Sequence, residues 1–236
     1  MVFAEPNVAS AYQDLSESYS AVETPTWSLL LAESCRAAGY GVAILDCNAE
    51  RLSDDLAVRR LSGMSPRLVC FVVYGQNPNS GTTNMASAMR LCEVLKRSLP
   101  EVRTCFVGSH TSAVPRQVLE CASVDFVLLN EGVYALRGLL ASNLVDGLES
   151  IKGIGYKNVG VALLNPPAPV VPQERMDLDL PGYSWDLLPF REKPLDLYRA
   201  HFWHAGFDHA KATPFAAIYT SLGCRFGCDF CMINII

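Results

Sequence analysis

The sequence is poor in charge and has no basic excess. Asp, Glu, Lys and Arg together make 18% of its 236 residues, and the formal net charge is −5. A surface built for nucleic acid or an anionic membrane needs clustered Lys and Arg, so no nucleic-acid partner is expected. No apolar run reaches the roughly 18 residues that a membrane-spanning helix needs, so no membrane span is expected. The opening residues Met1-Val2-Phe3-Ala4-Glu5-Pro6 have neither a basic n-region nor an apolar h-region, which points to a cytoplasmic location. Internal repeats and low-complexity tracts are also missing. What is plentiful is apolar material, 50% of the chain, enough for a sizeable core and too much for general disorder.

From the start to about residue 141, short apolar runs alternate with helical patterns. Val2-Phe3-Ala4 ends a first strand; Gly41 to Leu45 is a second and Leu68 to Val73 a third. The second and third are nearly continuous apolar runs, as expected of parallel strands covered on both faces. Thr26 is placed to cap a helix that Gly39 stops. Met85, Ala88, Met89, Cys92 and Leu95 recur at helical spacing between Thr83 and Arg97. A fourth strand, Arg103 to Val107, precedes a helix with Pro115 near its first turn, and a fifth, Val124 to Leu129, precedes one carrying Val133, Leu136, Leu139 and Leu140. Five strands alternating with helices predict an α/β domain over residues 1–141 with an open, doubly wound parallel sheet.

From residue 142 the pattern changes. Ile151 to Leu164 alternates around Lys157-Asn158-Val159-Gly160, a small hairpin, and repeated prolines make 142–213 a hairpin and linker region. Phe215 to Tyr219 is a last strand that opens a region at 214–236 and runs straight into a cysteine loop.

Six of the nine cysteines, Cys35, Cys47, Cys70, Cys92, Cys105 and Cys121, lie singly in mostly apolar segments and suit buried reduced thiols. The other three stand together as Cys224-Arg225-Phe226-Gly227-Cys228-Asp229-Phe230-Cys231, spaced C-x3-C-x2-C. Without an export signal this reads as metal binding rather than disulfides. Thiolates suit an iron–sulfur cluster or zinc. Three can hold three corners of a [4Fe–4S] cube and leave one iron open, whereas structural zinc wants four protein ligands. His201, Trp203, His204 and His209 precede the loop; packing between regions is the simpler reading of that group, a second metal site the other.

In a doubly wound sheet a ligand sits at the carboxyl ends of the strands. Three loops stand there: Tyr74-Gly75-Gln76-Asn77-Pro78-Asn79-Ser80-Gly81-Thr82-Thr83, then Gly108-Ser109-His110-Thr111-Ser112, then Asn130-Glu131-Gly132. Glycine admits close approach, and hydroxyls, amides and helix N-termini suit phosphate and sugar, although such residues gather in loops for other reasons too.

The cysteine loop, with its aromatic residue just before the third cysteine, resembles the cluster-binding motif of the radical S-adenosylmethionine (SAM) superfamily. The resemblance implies that Cys224, Cys228 and Cys231 ligate a [4Fe–4S] cluster, that SAM chelates the open iron, and that Phe230 lies near the SAM adenine. It also implies that residues 214–236 begin a (β/α) barrel, cut short here. Residues 1–141 resemble the flavodoxin-like cobalamin-binding domain that precedes such barrels. By position, Ser80, Thr82 and Thr83 then hold the nucleotide tail and Gly108 and Ser109 let it lie close to the fourth strand. Glu131 and Gly132 line the last loop, and Tyr74, Gly75, Gln76, Asn77 and His110 belong to the same set. The first loop, Glu5-Pro6-Asn7-Val8-Ala9-Ser10, departs from the D-x-H-x-x-G pattern of domains that ligate cobalt through histidine. That departure implies a cobalamin without a histidine ligand, or a different ligand altogether.

The paired resemblance implies the N-terminal part of a cobalamin-dependent radical SAM enzyme, with methyl transfer to an unactivated carbon as its expected reaction. Radical rearrangement or ring formation, and a module that merely carries a corrinoid, are the alternatives. A small-molecule substrate and an external electron donor of ferredoxin or flavodoxin type are the implied partners.

Overall fold

In the computed structural model, residues 1–9, 15–16, 20–74, 81–224 and 226–231 are described. The order is β1 (Val2–Glu5), α1 (Thr26–Ala37), β2 (Ala43–Asp46), α2 (Asp54–Met64), β3 (Leu68–Val72), α3 (Gly81–Ser98), β4 (Arg103–Val107), α4 (Ser109–Ala113), α5 (Pro115–Glu120), β5 (Phe126–Leu128), α6 (Val133–Ala141), β6 (Ile154–Asn158), β7 (Val161–Leu164) and α7 (Met176–Asp179). No described helix is long and apolar enough to cross a membrane.

The strands form one sheet in the order β2-β1-β3-β4-β5-β6-β7. β1 to β5 are mutually parallel, and β6 and β7 add an antiparallel hairpin beside β5. The expectation of a five-stranded parallel sheet is corrected here to a seven-stranded mixed one. The physical reason lies in β5, whose outer edge is still unpaired when the parallel run ends. Ile154 and Tyr156 of β6 are buried against that edge.

Side-chain alternation sorts the strands onto two cores. Phe3, Ile44, Cys70, Val72, Cys105 and Leu128 face α1 and α6; Val2, Ala4, Leu45, Val69, Phe71, Phe106 and Val127 face α2, α3 and α5. Phe71 and Phe106, in register on β3 and β4, stack at 4.8 Å on the second face. Burying each ring contributes about 1.5–3 kcal/mol.

Two local readings change. Thr26 begins α1 but does not cap it; its hydroxyl points to the carbonyls of Thr24 and Ala217. Helix α2 is an element that the sequence reading passed over. Ser53 caps it by accepting the Leu56 N–H, and Asp54 and Asp55 stand at its positive end. The signal was there in Ser53-Asp54-Asp55 ahead of Ala57, Val58 and Leu61, its three buried residues.

The expected barrel strand is also corrected. Residues 215–219 are not a strand here, and only isolated bridges, Val22 to Arg199 and Arg199 to Pro214, occur beside them. A strand exists only through a neighbouring backbone, and the described residues supply none along 215–219.

Candidate functional site

The order of the sheet turns around at β1: its first crossover leads outward to β2, and the chain then returns to β3 on the other side. The loops leaving β1 and β3 therefore part, and a crevice opens at their carboxyl ends. There the structure has a cavity of about 910 Å³. Its floor is Glu5, Pro6 and Asn7 after β1, Asp46, Asn48, Ala49 and Arg51 after β2, and Tyr74 after β3. Trp27 of α1 forms one side, and Arg199, His201, Trp203, Ala217 and Tyr219 come over from the C-terminal region.

Two carboxylates meet at the floor. Glu5 and Asp46 are register partners on the last position of β1 and β2. Burial pushes the Glu5 carboxyl well above its usual range, the Asp46 charge adds to this, and the Ser28 hydroxyl, hydrogen-bonded to Glu5, opposes it. Burial likewise lifts Asp46 to about 6, against the hydrogen bonds it accepts from Ala49 N–H (2.9 Å) and the Tyr198 hydroxyl (2.9 Å). At the rim, His201 Nε2 lies 2.9 Å from Glu23 Oε1, and its ring stacks on Trp203 at 4.1 Å. The floor thus carries two carboxyls that bind protons more tightly than free ones, and the rim holds an imidazole–carboxylate pair.

The loops selected from the sequence partly converge. Tyr74 lines the cavity and donates its hydroxyl to the Asn130 carbonyl (3.2 Å); burial raises its phenol far above the ordinary value. Thr82 and Thr83 are exposed on the first turn of α3, and Thr82 Oγ1 lies 3.1 Å from His110 Nδ1. Burial lowers the His110 pKa. Gly75, Gln76, Asn77 and Ser80 lie outside the described residues.

The remaining members lie outside the lining of this cavity. At Gly108 (φ +152°) a Cβ would come within 2.2 Å of the Val73 carbonyl oxygen, so its missing side chain lets two backbones meet. At Gly132 (φ +75°) a Cβ would come within 2.9 Å of the Val107 side chain. Ser109 is fully buried, and its hydroxyl has no partner among the described residues; Thr111 is the same. Glu131 accepts the Val171 N–H (2.8 Å) through its carboxylate and the Trp27 indole N–H (3.2 Å) through its carbonyl. Gly108, Ser109, His110, Glu131 and Gly132 are not in the cavity lining, whereas Glu5, Trp27, Asp46, Arg199 and His201 are. Sequence reasoning took the loops after β3, β4 and β5 as the ligand-holding set, read the loop after β1 only for its lack of histidine, and passed over the loop after β2. The polar break after each apolar run, Glu5-Pro6-Asn7 and Asp46-Cys47-Asn48, was the available signal.

Cys224 and Cys228 are exposed and Cys231 is half-buried, all as free thiols. Cys231 N–H donates to the Cys228 carbonyl (3.0 Å) in a tight turn. Among the described residues no three His, Cys, Asp or Glu side chains are gathered to hold a metal ion. The three thiols nevertheless have the softness that suits an iron–sulfur cluster, of which they would hold three irons and leave the fourth open. Phe230 is 81% exposed beside it. By contrast Cys35, Cys47, Cys70, Cys92 and Cys105 are buried, and burial pushes Cys35 and Cys92 up to about 12, leaving them inert thiols.

Comparison with known proteins bears on both features. Residues 13–140 match the family model described as B12 binding domain. The chain is 27% identical over 198 residues to the uncharacterized methyltransferase PH0819 of Pyrococcus horikoshii, covering 83% of this chain and 38% of that protein. It is 29% identical over 206 residues to the hopanoid C-3 methylase of Methylococcus capsulatus, covering 86% of this chain and 34% of that protein. The chain thus spans little more than a third of the length of the curated relatives it matches. Among solved structures, the fold is similar to the radical SAM methyltransferase TsrM of Kitasatospora setae with cobalamin and a [4Fe–4S] cluster bound (TM-score 0.56, 16% identity, 73% of this chain and 29% of that one). It is also similar to the cobalamin-dependent SAM radical enzyme OxsB with aqua-cobalamin bound (TM-score 0.58, 15% identity, 79% and 24%).

Proposed function

The chain belongs to the B12-binding domain family, and from that premise we propose that it is the corrinoid-binding, cluster-bearing part of a cobalamin-dependent radical SAM methyltransferase. The observation that carries this reading is one of place. The segment leading into Cys224, Cys228 and Cys231 crosses the mouth of the cavity at the sheet's switch point, where Ala217 and Tyr219 join its wall.

The residues present fit a corrinoid in volume and in lining. The cavity, about 910 Å³, is of the size that takes a large part of such a ligand. Its walls mix an aromatic pair, Trp27 and Tyr74 at 5.5 Å, with polar groups from three strand ends. The first loop supplies no histidine, and His201, which does line the cavity, is engaged by Glu23. A corrinoid held here is therefore expected to have no histidine ligand from the first loop. Bound together, a cluster with SAM and a corrinoid supply radical generation and methyl transfer, and the expected acceptor is an unactivated carbon of a small molecule. Within that chemistry the chain's own residues orient and exclude water: Trp27 and Tyr74 close one side, and Glu5 and Asp46 set a polar, acidic floor. Electrons come from an external donor of ferredoxin or flavodoxin type.

Anaerobic reconstitution of the full-length protein tests the assignment. About four iron and four sulfide per chain are expected, with one corrinoid bound, and the Co(II) spectrum should show no protein nitrogen coupling. Cys228→Ala should remove the cluster and SAM cleavage while the corrinoid remains. Corrinoid binding with no iron–sulfur absorption in the wild type would leave a carrier module instead; failure to bind any corrinoid would refute the proposal at its base.

A further inference from the structure

The segment at 215–219 is not a strand, yet its main chain is bonded as if one edge of it were paired. Residues two apart in an extended chain present their N–H and C=O to the same edge. On the edge carrying Ala217 and Tyr219, the N–H and C=O of both these residues are met by side-chain hydroxyls. Ala217 N–H donates to Thr24 Oγ1 (3.0 Å), and the hydroxyls of Thr24 (3.4 Å) and Thr26 (3.2 Å) reach the Ala217 carbonyl. Tyr219 N–H donates to the Tyr183 hydroxyl (2.8 Å), which in turn donates to the Tyr219 carbonyl (3.2 Å). On the other edge, Ala216 and Ile218 are exposed, and their main-chain groups have no partner among the described residues.

The hydroxyls are firmly based. Thr24 and Thr26 are buried at the start of α1, at 4% and 6% exposure. Tyr183 precedes Ser184, which is itself tied to Leu29 of α1 by its hydroxyl (2.9 Å). The Tyr219 ring lies 6.2 Å from Trp27. The start of α1 carries the attachment of Ala217, and Tyr183, whose neighbour Ser184 is tied to α1, carries that of Tyr219.

We propose that Thr24, Thr26 and Tyr183 form a hydroxyl clamp that substitutes for a neighbouring strand along one edge of residues 215–219 and fixes the approach to the cysteine loop at the cavity mouth. A side-chain clamp suits this position better than a ladder. A ladder would need another backbone inside the cavity wall, whereas three hydroxyls satisfy the same donors and acceptors and leave the cavity open. The opposite edge is left free to pair. These are positioning residues, acting through the main chain of Ala217 and Tyr219. Their consequence for the cluster rests on the function proposed above; the clamp itself does not.

The test uses the full-length protein carrying Thr24→Val, Tyr183→Phe or Thr24→Ser, read first by residue-resolved amide exchange without cofactors. Exchange of the Ala217 amide should quicken about tenfold in Thr24→Val, the order expected for one lost hydrogen bond, and that of Tyr219 equally in Tyr183→Phe. Thr24→Ser, which keeps the hydroxyl, should restore protection, and amides of β3 and β4 should not change in any variant. The second reading is the magnetic coupling between Co(II) and the reduced cluster, whose distribution should broaden in Thr24→Val and return in Thr24→Ser. Unchanged exchange at Ala217 and Tyr219 in both hydroxyl-deleted variants would overturn the clamp. A wild type lacking cobalt or cluster signals would sink the functional reading while the exchange result still decides the clamp.

Discussion

The first 141 residues and the stretch from 165 onward are built on different principles. The first closes two apolar cores against its own strands, with Phe3, Phe71 and Phe106 fully buried. The second has little core of its own and is tied down at points: Asp179 to Tyr134 and Arg137, Ser184 to Leu29, Tyr198 to Asp46, Ala217 to Thr24. Phe207, Phe226 and Phe230, at 76%, 62% and 81% exposure, show how much apolar surface it leaves uncovered. Burial within its own sheet holds the first region, whereas the second inserts Val171, Leu180, Leu188 and Tyr198 into that same core and is fixed further by directional bonds. The cavity lies where they meet, so its floor is rigid and its rim is adjustable by a few hydrogen bonds.

The contrast is sharpest for large apolar side chains. Phe71→Ala should cost about 3–5 kcal/mol by leaving a cavity opposite Phe106. Phe230→Ala, exposed in the second region, should stay within about 0.5 kcal/mol. Urea unfolding followed by circular dichroism checks both; equal losses would mean that Phe230 is packed in solution.

Next in size is a pH effect at the seam. Burial disfavours the Asp46 charge and lifts its carboxyl from the ordinary aspartate range to about 6. A raised carboxyl binds its proton more tightly in the folded chain, so its contribution is full below the unfolded value and is lost as pH climbs through about 6. Glu5 acts in the same direction. Unfolding free energy should therefore fall between about pH 4 and pH 7, by at most about 3 kcal/mol for Asp46. Asp46→Asn should flatten that slope, measured as the difference between the two proteins at each pH.

The parallel core was legible because both its signals were local. Runs such as Leu68 to Val72 are apolar at every position, which only a strand covered on both faces requires. The hairpin at 154–164 was legible as a hairpin but not as an extension of the sheet, since nothing in its own residues names β5 as partner. The site was half legible. Tyr74 could be found because it follows an apolar run directly, but Trp27, Arg199 and His201 reach the cavity from positions that only the tertiary fold brings together. Gly108 could be seen as necessary, and its close approach to the Val73 backbone is one reason for it. Glu131 could be seen as polar and exposed to choice, yet its carboxylate is spent on Val171, far along the chain.

A smaller effect is expected where the second region is tied to α6. Asp179 accepts from the Tyr134 hydroxyl (2.7 Å), Arg137 Nη1 (2.7 Å) and Arg175 Nε (2.9 Å), and these hold its carboxyl well below the usual range. Asp179→Asn keeps the shape but leaves the Arg137 guanidinium short of its counter-charge, at about 2 kcal/mol. The loss should appear as faster amide exchange around residues 171–180, with β3 and β4 unchanged. Equal loosening of the strands would show that the two regions unfold as one.

The smallest effect decides to which region the hairpin belongs. β6 ends at Asn158 and β7 begins at Val161, so Val159 and Gly160 are the whole turn, with φ of +48° and +78°. Positive φ at both central residues is the arrangement whose twist matches antiparallel strands, and Asn-Gly is its preferred pair. A β-branched residue is strained there, and Val159 is 97% exposed, so it loses nothing by being replaced. Val159→Asn should therefore stabilise by about 1 kcal/mol, the order of the left-handed penalty removed. If β6 and β7 unfold with the parallel strands, as their pairing to β5 implies, the gain raises the midpoint of the main transition. If they belong with the tied-down region, the main midpoint stays fixed and only the amides of 154–164 gain protection, and the sheet would then count as five cooperative strands with a hairpin resting on its edge.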